Sequence, residues 1–154
     1  MLEPLRLDHA EEMAPLLDDP RLYAFTGGSP RTLEELRAGY EEHLSGRTAD
    51  GGRWLNWVMR RREDSLVAGG LEATLTAHGD EFVVELAWIV ASQYQGRGYA
   101  REAAAAMVTW LRQQGTPALF ADIHRDHEAS MAVARTLGLY RGQAVSDEDI
   151  RWTG

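Results

Sequence analysis

The chain has 154 residues, enough for one domain with one sizeable core, and its 44% hydrophobic and 26% charged content is an ordinary globular balance. A formal net charge of -8 argues against a nucleic-acid surface, which needs a basic face; the one basic run, Arg60-Arg61-Arg62, stands before Glu63-Asp64 and reads as a solvated turn. With no cysteine there is no disulfide framework, thiolate nucleophile or Cys-based zinc site; with no run of ~18 apolar residues and no basic, apolar leader, neither a membrane span nor a secretory signal is expected, and a cytoplasmic location is.

In chain order, Leu5-Arg6-Leu7 alternates and reads as a short strand. Asp8 then opens a helix, with Glu11 completing a capping box, Met13, Leu16 and Leu17 as the apolar stripe, and Pro20 just past the end. After the loop Phe25–Pro30, Thr32 and Glu35 repeat the capping box; Leu33, Leu36, Tyr40 and Leu44 follow at helical spacing, and Gly46 closes the helix. Trp54 to Arg61 reads as a strand, and Leu66 to Ala77 as another interrupted by Gly69-Gly70, where a bulge is expected. Phe82 to Val90 is a third strand. Its two faces, Phe82, Val84, Leu86, Trp88 and Val90 against Val83, Glu85, Ala87 and Ile89, are both mostly apolar, so it is expected to be central and covered on both sides. Gly98 to Gln114 is a helix with the stripe Ala100, Ala104, Met107 and Leu111, stopped by Gly115 with Pro117 after it. Leu119 to Ile123 is a strand. Ser130 to Leu137 is a helix entered through Asp126 as N-cap and ended by Gly138. A final strand falls near Gln143–Val145 or Ile150–Trp152. The expected class is α+β: helices flanking a mixed, mostly antiparallel central sheet.

The segment joining the central strand to the long helix carries the chemistry. A helix N-terminus offers about four unpaired N–H groups and a partial positive charge. Gly96 and Gly98 keep side chains out of the way of an oxyanion, and Arg97 adds a cation, so Gln95-Gly96-Arg97-Gly98-Tyr99-Ala100 suits a diphosphate. A tight strand-to-helix turn that uses glycines for geometry alone accounts for the same residues.

Gln95-x-x-Gly98-x-Ala100, after an apolar strand and opening an amphipathic helix, resembles the Gln/Arg-x-x-Gly-x-Gly/Ala motif of the GNAT superfamily of N-acetyltransferases. Tyr94 through Ala103 is similar to the branch that contains the ribosomal-protein N-terminal acetyltransferases. A second block, His127-Glu128-Ala129-Ser130 followed by Leu137-Gly138-Leu139, resembles that branch's Asn-x-x-Ser…Leu-Gly-Phe pattern. Leu5-Arg6-Leu7…His9-Ala10-Glu11 and Gly69-Gly70-Leu71 also fit, so the resemblance spans the whole chain and implies a single acyl-CoA N-acyltransferase domain over 1–154. It implies acetyl-CoA as co-substrate, with its pyrophosphate on the amides from Gly96 to Arg101. It also implies that the strand opens at Ile89 or Val90, one of which supplies an N–H to the thioester oxygen. Two departures stand out. The branch's Asn, which contacts the pantetheine arm, is His127 here. The tyrosine that many members carry four residues before the glycine is Ala134, which leaves Ser130 as the group facing the departing sulfur.

The reaction needs a neutral amine, a donor for the carbonyl oxygen, and help for a thiolate whose pKa is ~8.5 as a free thiol. Glu85 lies within the otherwise apolar central strand. Burial there would raise its pKa and make it a base, directly or through water; a carboxylate paired with a nearby Arg is the alternative. For Ser130 the alternative is a helix-start serine that caps backbone. Asp122-x-His124-x-Asp126-His127 holds four metal-ligating types, but strand-to-loop spacing does not converge them, and no metal is expected. Trp54-Leu55-Asn56-Trp57 is either core or a border of the acceptor pocket. The sequence predicts acetyl transfer to a primary, cationic amine by direct attack in a ternary complex. The acceptor stays open between a protein N-terminus and a small molecule such as an antibiotic or polyamine. A non-catalytic acyl-CoA sensor is the reading from another class. Neither nucleic acid nor membrane is an expected partner, and the oligomeric state, a homodimer included, is not fixed.

Overall fold

Among the described residues seven strands form one sheet: β1 (Leu2–Pro4), β2 (Arg53–Arg60), β3 (Val67–His78), β4 (Glu81–Val90), β5 (Ala118–His124), β6 (Tyr140–Ala144) and β7 (Asp149–Thr153), in the order β1-β2-β3-β4-β5-β7-β6. The α-helices described with them are α1 (His9–Leu17), α2 (Leu33–Leu44), α3 (Tyr99–Gln113) and α4 (Glu128–Thr136). This computed structural model describes residues 1–116 and 118–154; Pro117, read above as following a helix stop, lies outside them. Among the described residues all strand pairs are antiparallel except β4 with β5, which α3 connects.

Each face of the sheet has its own apolar cluster. Leu71, Ala73, Val84, Leu86, Leu119 and Ala121 pack against the buried stripe of α3, Ala104, Met107, Val108 and Leu111, and against Met131, Val133 and Ala134 of α4. Leu111 is 1% exposed, so Leu111→Ala should cost ~2–5 kcal/mol in lost transfer energy and cavity. On the other face Leu5, Ala10, Met13, Leu36, Val58 and Val67 gather under α1 and α2. That second layer stops short of the sheet centre. Val84 and Leu86 are buried, but Glu85 and Ala87 on the opposite side of β4 are exposed. The central strand is therefore covered on one side only, contrary to the expectation from its apolar pattern. The apolar residues that suggested a second buried face, Val83 and Ile89, are only partly covered.

Thr32 and Glu35 form the expected capping box: Glu35 N–H donates to Thr32 Oγ1 (3.1 Å) and Thr32 N–H to Glu35 Oε2 (2.8 Å). The one expected at Asp8 does not form. Arg6 Nε takes Asp8 Oδ1 at 3.0 Å, and Glu11 pairs instead with Arg37 of α2. The first strand is Leu2–Pro4 and not Leu5–Leu7. Pairing with β2 ends where Leu5 N–H reaches the Asn56 carbonyl, and the buried His9 then takes the Arg6 N–H on Nδ1 (2.9 Å). At α4 the N-cap position falls to His127 and not Asp126, and the helix starts at Glu128. His124 Nδ1 captures the Asp126 N–H at 3.1 Å. The bulge expected at Gly69-Gly70 falls one residue earlier: both glycines pair in register, with Met59 and Val58, and the slip comes between Met59–Gly69 and Arg60–Val67, at Ala68. The tail forms a hairpin, so both alternatives for the last strand are realised, as β6 and β7. Of the Arg60–Arg62 run only Arg62 lies in an exposed turn. Arg60 bonds Glu3 (2.8 Å) and Glu12 (2.9 and 3.0 Å), and the Arg61 side chain is 9% exposed.

Candidate active site

Among the described residues β4 and β5 pair only from Val83–Ala118 to Glu85–Phe120. Beyond that point β4 stays with β3, β5 turns to β7, and the two parallel strands part. Within the gap, backbone direction alternates. Ala91 N–H donates to the Ala68 carbonyl next to β3 (2.9 Å), so Ile89, two residues earlier, also directs its N–H toward β3. Trp88 and Val90 therefore direct theirs into the gap, where the Val90 carbonyl accepts from Gln95 Nε2 at 3.0 Å. Of the two sequence candidates for an N–H donor, Val90 has the accessible one, and Trp88 joins it.

The segment after β4 makes a 3-10 turn, Ser92–Tyr94, and then the loop Gln95–Gly98. Gly96 and Gly98 have φ of +76° and +83°, and a Cβ at either would meet nothing within 4 Å. Gly98 stands at the N-cap of α3 without a side-chain cap, so the first-turn amides of Tyr99, Ala100 and Arg101 have no side-chain acceptor there. Gln95, Arg97 and Arg101 are exposed around this open space, while Tyr99 and Ala100 are half-buried. Open room above left-handed glycines, a helix N-terminus and two guanidinium groups together fit a pyrophosphate.

Ser130 lies at the gap's far side, in the first turn of α4, and is buried. It caps nothing. Trp88 Nε1–H donates to Ser130 Oγ at 3.3 Å, and His127 Nε2 lies 3.3 Å from the same oxygen. Burial, and then the neighbouring His124, lower the His127 pKa, which keeps the imidazole neutral at pH 7 and able to accept from or donate to Ser130. Phe25, from the loop between α1 and α2, stacks on His127 with centroids 4.6 Å apart and lies 5.0 Å from His124. Trp88 and Phe25 escaped the sequence reading as site residues; only the placement of Trp88 on the strand before the glycine loop could have pointed to one of them.

Glu85 sits where β4 and β5 are last paired, on the face away from α3. Three residues separate it from Trp88, about 10 Å along a strand. Its side chain still touches solvent, but the strands around it remove enough water to raise its pKa. Repulsion from Asp122 adds to this, Arg151 opposes it, and Glu72 adds further. Arg151 is committed elsewhere, through a bidentate pair with Asp122 (2.8 and 2.8 Å), so Glu85 is not the partner of an arginine ion pair. Asn56, Trp54 and Glu72 continue this face across β2 and β3. His43 of α2 stacks on Trp54 (4.4 Å) and lies 3.1 Å from Asn56 Oδ1. Trp57 faces the other way, against Trp110 of α3.

The GNAT acetyltransferase domain model matches residues 1–140. A GNAT-family acetyltransferase from Bacillus anthracis superposes with a TM-score of 0.78 at 16% identity, over 99% of this chain and 92% of that one. Spermidine N-acetyltransferase from Vibrio cholerae, in complex with CoA and spermine, gives 0.82 at 14%, over 100% and 94%. The aminoglycoside acetyltransferase AAC(6')-Ib, in complex with coenzyme A, gives 0.79 at 14%, over 100% and 93%. No curated protein matches the sequence significantly. At such identities the structural likeness concerns the fold, whereas the domain match covers nearly the whole sequence, and with it the parted strands and the glycine loop take their place: the chain belongs to the GNAT acetyltransferase family.

Proposed function

We propose that the chain, as a single domain over 1–154, transfers an acetyl group from acetyl-CoA to a small cationic primary amine by direct attack in a ternary complex. The observation that carries this reading is the opening of β4 from β5 between the glycine loop and Ser130, with Glu85 at its apex. The amides from Gly96 to Arg101, with Arg97 and Arg101, hold the pyrophosphate. Val90 pairs with the pantetheine arm, and His127, in place of an Asn, borders it. Trp88 N–H, nearer to Glu85 and on the residue whose indole reaches Ser130, accepts the charge that grows on the thioester oxygen. Glu85, directly or through water, takes the proton that the amine nitrogen gives up as its bond to the carbonyl carbon forms. As the C–S bond breaks, Ser130 donates a hydrogen bond to the leaving sulfur; its acceptor side is already engaged by Trp88.

The acceptor's charge is inferred from Glu72, Glu85 and Asp122 on the open face and agrees with the spermine bound by one structural neighbour and the aminoglycoside named for another. A protein N-terminus, as the sequence resemblance to the ribosomal-protein branch suggests, is the second acceptor class. Release of free thiol from acetyl-CoA, followed with a panel of polyamines, aminoglycosides and N-terminal peptides, tests the reading. Turnover with a small cationic amine supports it. Turnover with peptides alone moves the acceptor to the second class. Tight CoA binding with no release under any acceptor makes the chain a sensor.

A further inference from the structure

The glycine loop is conformationally permissive. Gly96 and Gly98 both have positive φ and no neighbour within 4 Å of a Cβ, so at these two positions no side-chain packing holds the backbone. Its two flanking residues are held from outside. Tyr94, immediately before the loop, is 7% exposed, and the Arg61 guanidinium lies over its ring at 4.5 Å. Tyr99, immediately after the loop, lies edge-on to Tyr94, and the same guanidinium is 5.8 Å from its centroid. Tyr99 OH donates to Glu63 Oε1 at 2.9 Å, while the other Glu63 oxygen pairs with Arg61 at 2.9 Å and Asp64 pairs with it at 3.1 Å. Arg61 Nε is buried without a hydrogen-bond partner among the described residues. The two rings and two carboxylates, and not a full set of hydrogen bonds, thus define where the group sits. These side chains come from the turn between β2 and β3, which the pairing of β3 with β4 brings beside the start of α3.

We propose that Arg61 is a positioning residue for the cofactor: stacked on Tyr94 and Tyr99, it clamps both ends of the Gln95–Gly98 loop in the conformation that receives a pyrophosphate. The inference rests on the reading of that loop as the CoA site. Arg61 acts through the tyrosines and the loop backbone, and Glu63 completes the clamp by joining the guanidinium to the Tyr99 hydroxyl.

Hydrogen exchange of the free protein and calorimetric titration with CoA, on wild type, Arg61→Ala and Tyr99→Phe, test it. The amides of Tyr94, Gln95 and Glu102 report on the loop, because each has a backbone acceptor there. In Arg61→Ala they should exchange faster while those of β2 and β7 keep their wild-type rates. The Kd for CoA should rise about tenfold, the KM for acetyl-CoA should follow it, and kcat should stay within about twofold. Tyr99→Phe, which removes one hydroxyl and leaves the stack, should raise Kd about threefold; it decides the question if Arg61→Ala does not fold. Unchanged loop exchange, faster exchange over the whole chain, or a wild-type Kd overturns the clamp. Wild-type protein that binds no CoA overturns the cofactor reading instead, and the exchange pattern in free protein then decides the clamp by itself.

Discussion

Gly98→Val separates a phosphate site from a mere turn, because the structure supplies a matched control. Gly98 and Gly115 flank α3, with φ of +83° and +84°, and a Cβ at either meets nothing within 4 Å. In the free protein each valine therefore brings the same penalty, backbone strain alone, of ~1–2 kcal/mol for an L-residue in the left-handed region. For a domain of this size that lowers Tm by ~2–8 °C. The two sites lie beyond opposite ends of a 15-residue helix about 22 Å long. Only Gly98 lies under the space assigned to the pyrophosphate, where its branched side chain would displace one or two charge-assisted hydrogen bonds of ~1.5–3 kcal/mol each. CoA affinity should fall by roughly 10²-fold or more in Gly98→Val and stay at the wild-type value in Gly115→Val, with similar losses of Tm. Calorimetric titration with CoA at 25 °C and thermal unfolding of the three proteins measure both quantities. Equal affinity in Gly98→Val and wild type, or equal loss in both variants, would refute the assignment of the site.

Ser130→Ala should lower kcat by ~10²-fold and leave the CoA Kd nearly intact, as stopped-flow thiol release and titration would show; wild-type values for both would return Ser130 to a packing role. Glu85→Gln should lower kcat/KM for the amine by ~10²-fold and remove its acidic limb, read from a pH–rate profile. The same variant should be more stable than wild type at neutral pH. The raised Glu85 pKa means the native state holds its proton longer, so its contribution to stability falls as pH rises from the ordinary carboxylate range through the native pKa. The difference in Tm should close again as pH drops below about 4.5. Finally, kcat/KM for a cationic acceptor should fall as salt rises, with kcat changing less, because the Debye length is ~10 Å at 0.1 M; a salt-independent kcat/KM would leave the charge of -8 a matter of solubility.

The elements with local causes were legible in the sequence. Thr32 and Glu35 make their capping box, the α3 stripe is buried, and Gly98 opens that helix as read, because each depends on residues within a few positions of one another. Where a distant charge competes, the local pattern fails. Asp8 and Glu11 spell a capping box that Arg6 and Arg37 take apart, and Arg60-Arg61-Arg62 looks solvated until Glu3, Glu12 and two tyrosines arrive from elsewhere. The site divides in the same way. Gln95 to Arg101, the candidate cofactor loop, is one continuous stretch that a sequence motif can name. The contact between Trp88 and Ser130 joins residues 42 apart, and the stack of Phe25 on His127 joins a loop to a helix across the sheet. No periodicity encodes such pairs; they exist only once β5 has parted from β4.

On the proposed reading, that parting also lets one strand serve two substrates of opposite charge. A fully paired β4 would spend the N–H groups of Trp88 and Val90 on β5 and leave nothing for a thioester or a pantetheine amide. Breaking the pairing after Glu85 frees those groups. On the proposed reading, the anionic cofactor enters from the α3 side, where the helix N-terminus, Arg97 and Arg101 offset the negative charge of the chain locally. The amine enters across the face that α1 and α2 leave uncovered, where Glu72, Glu85 and Asp122 lie and where one of them, Glu85, has been shifted toward the basicity a proton acceptor needs. On that reading the incomplete second layer, which the apolar pattern of β4 did not foretell, gives the acceptor a way to the gap, and the sheet keeps the two electrostatic environments apart until the reacting atoms meet beside Trp88.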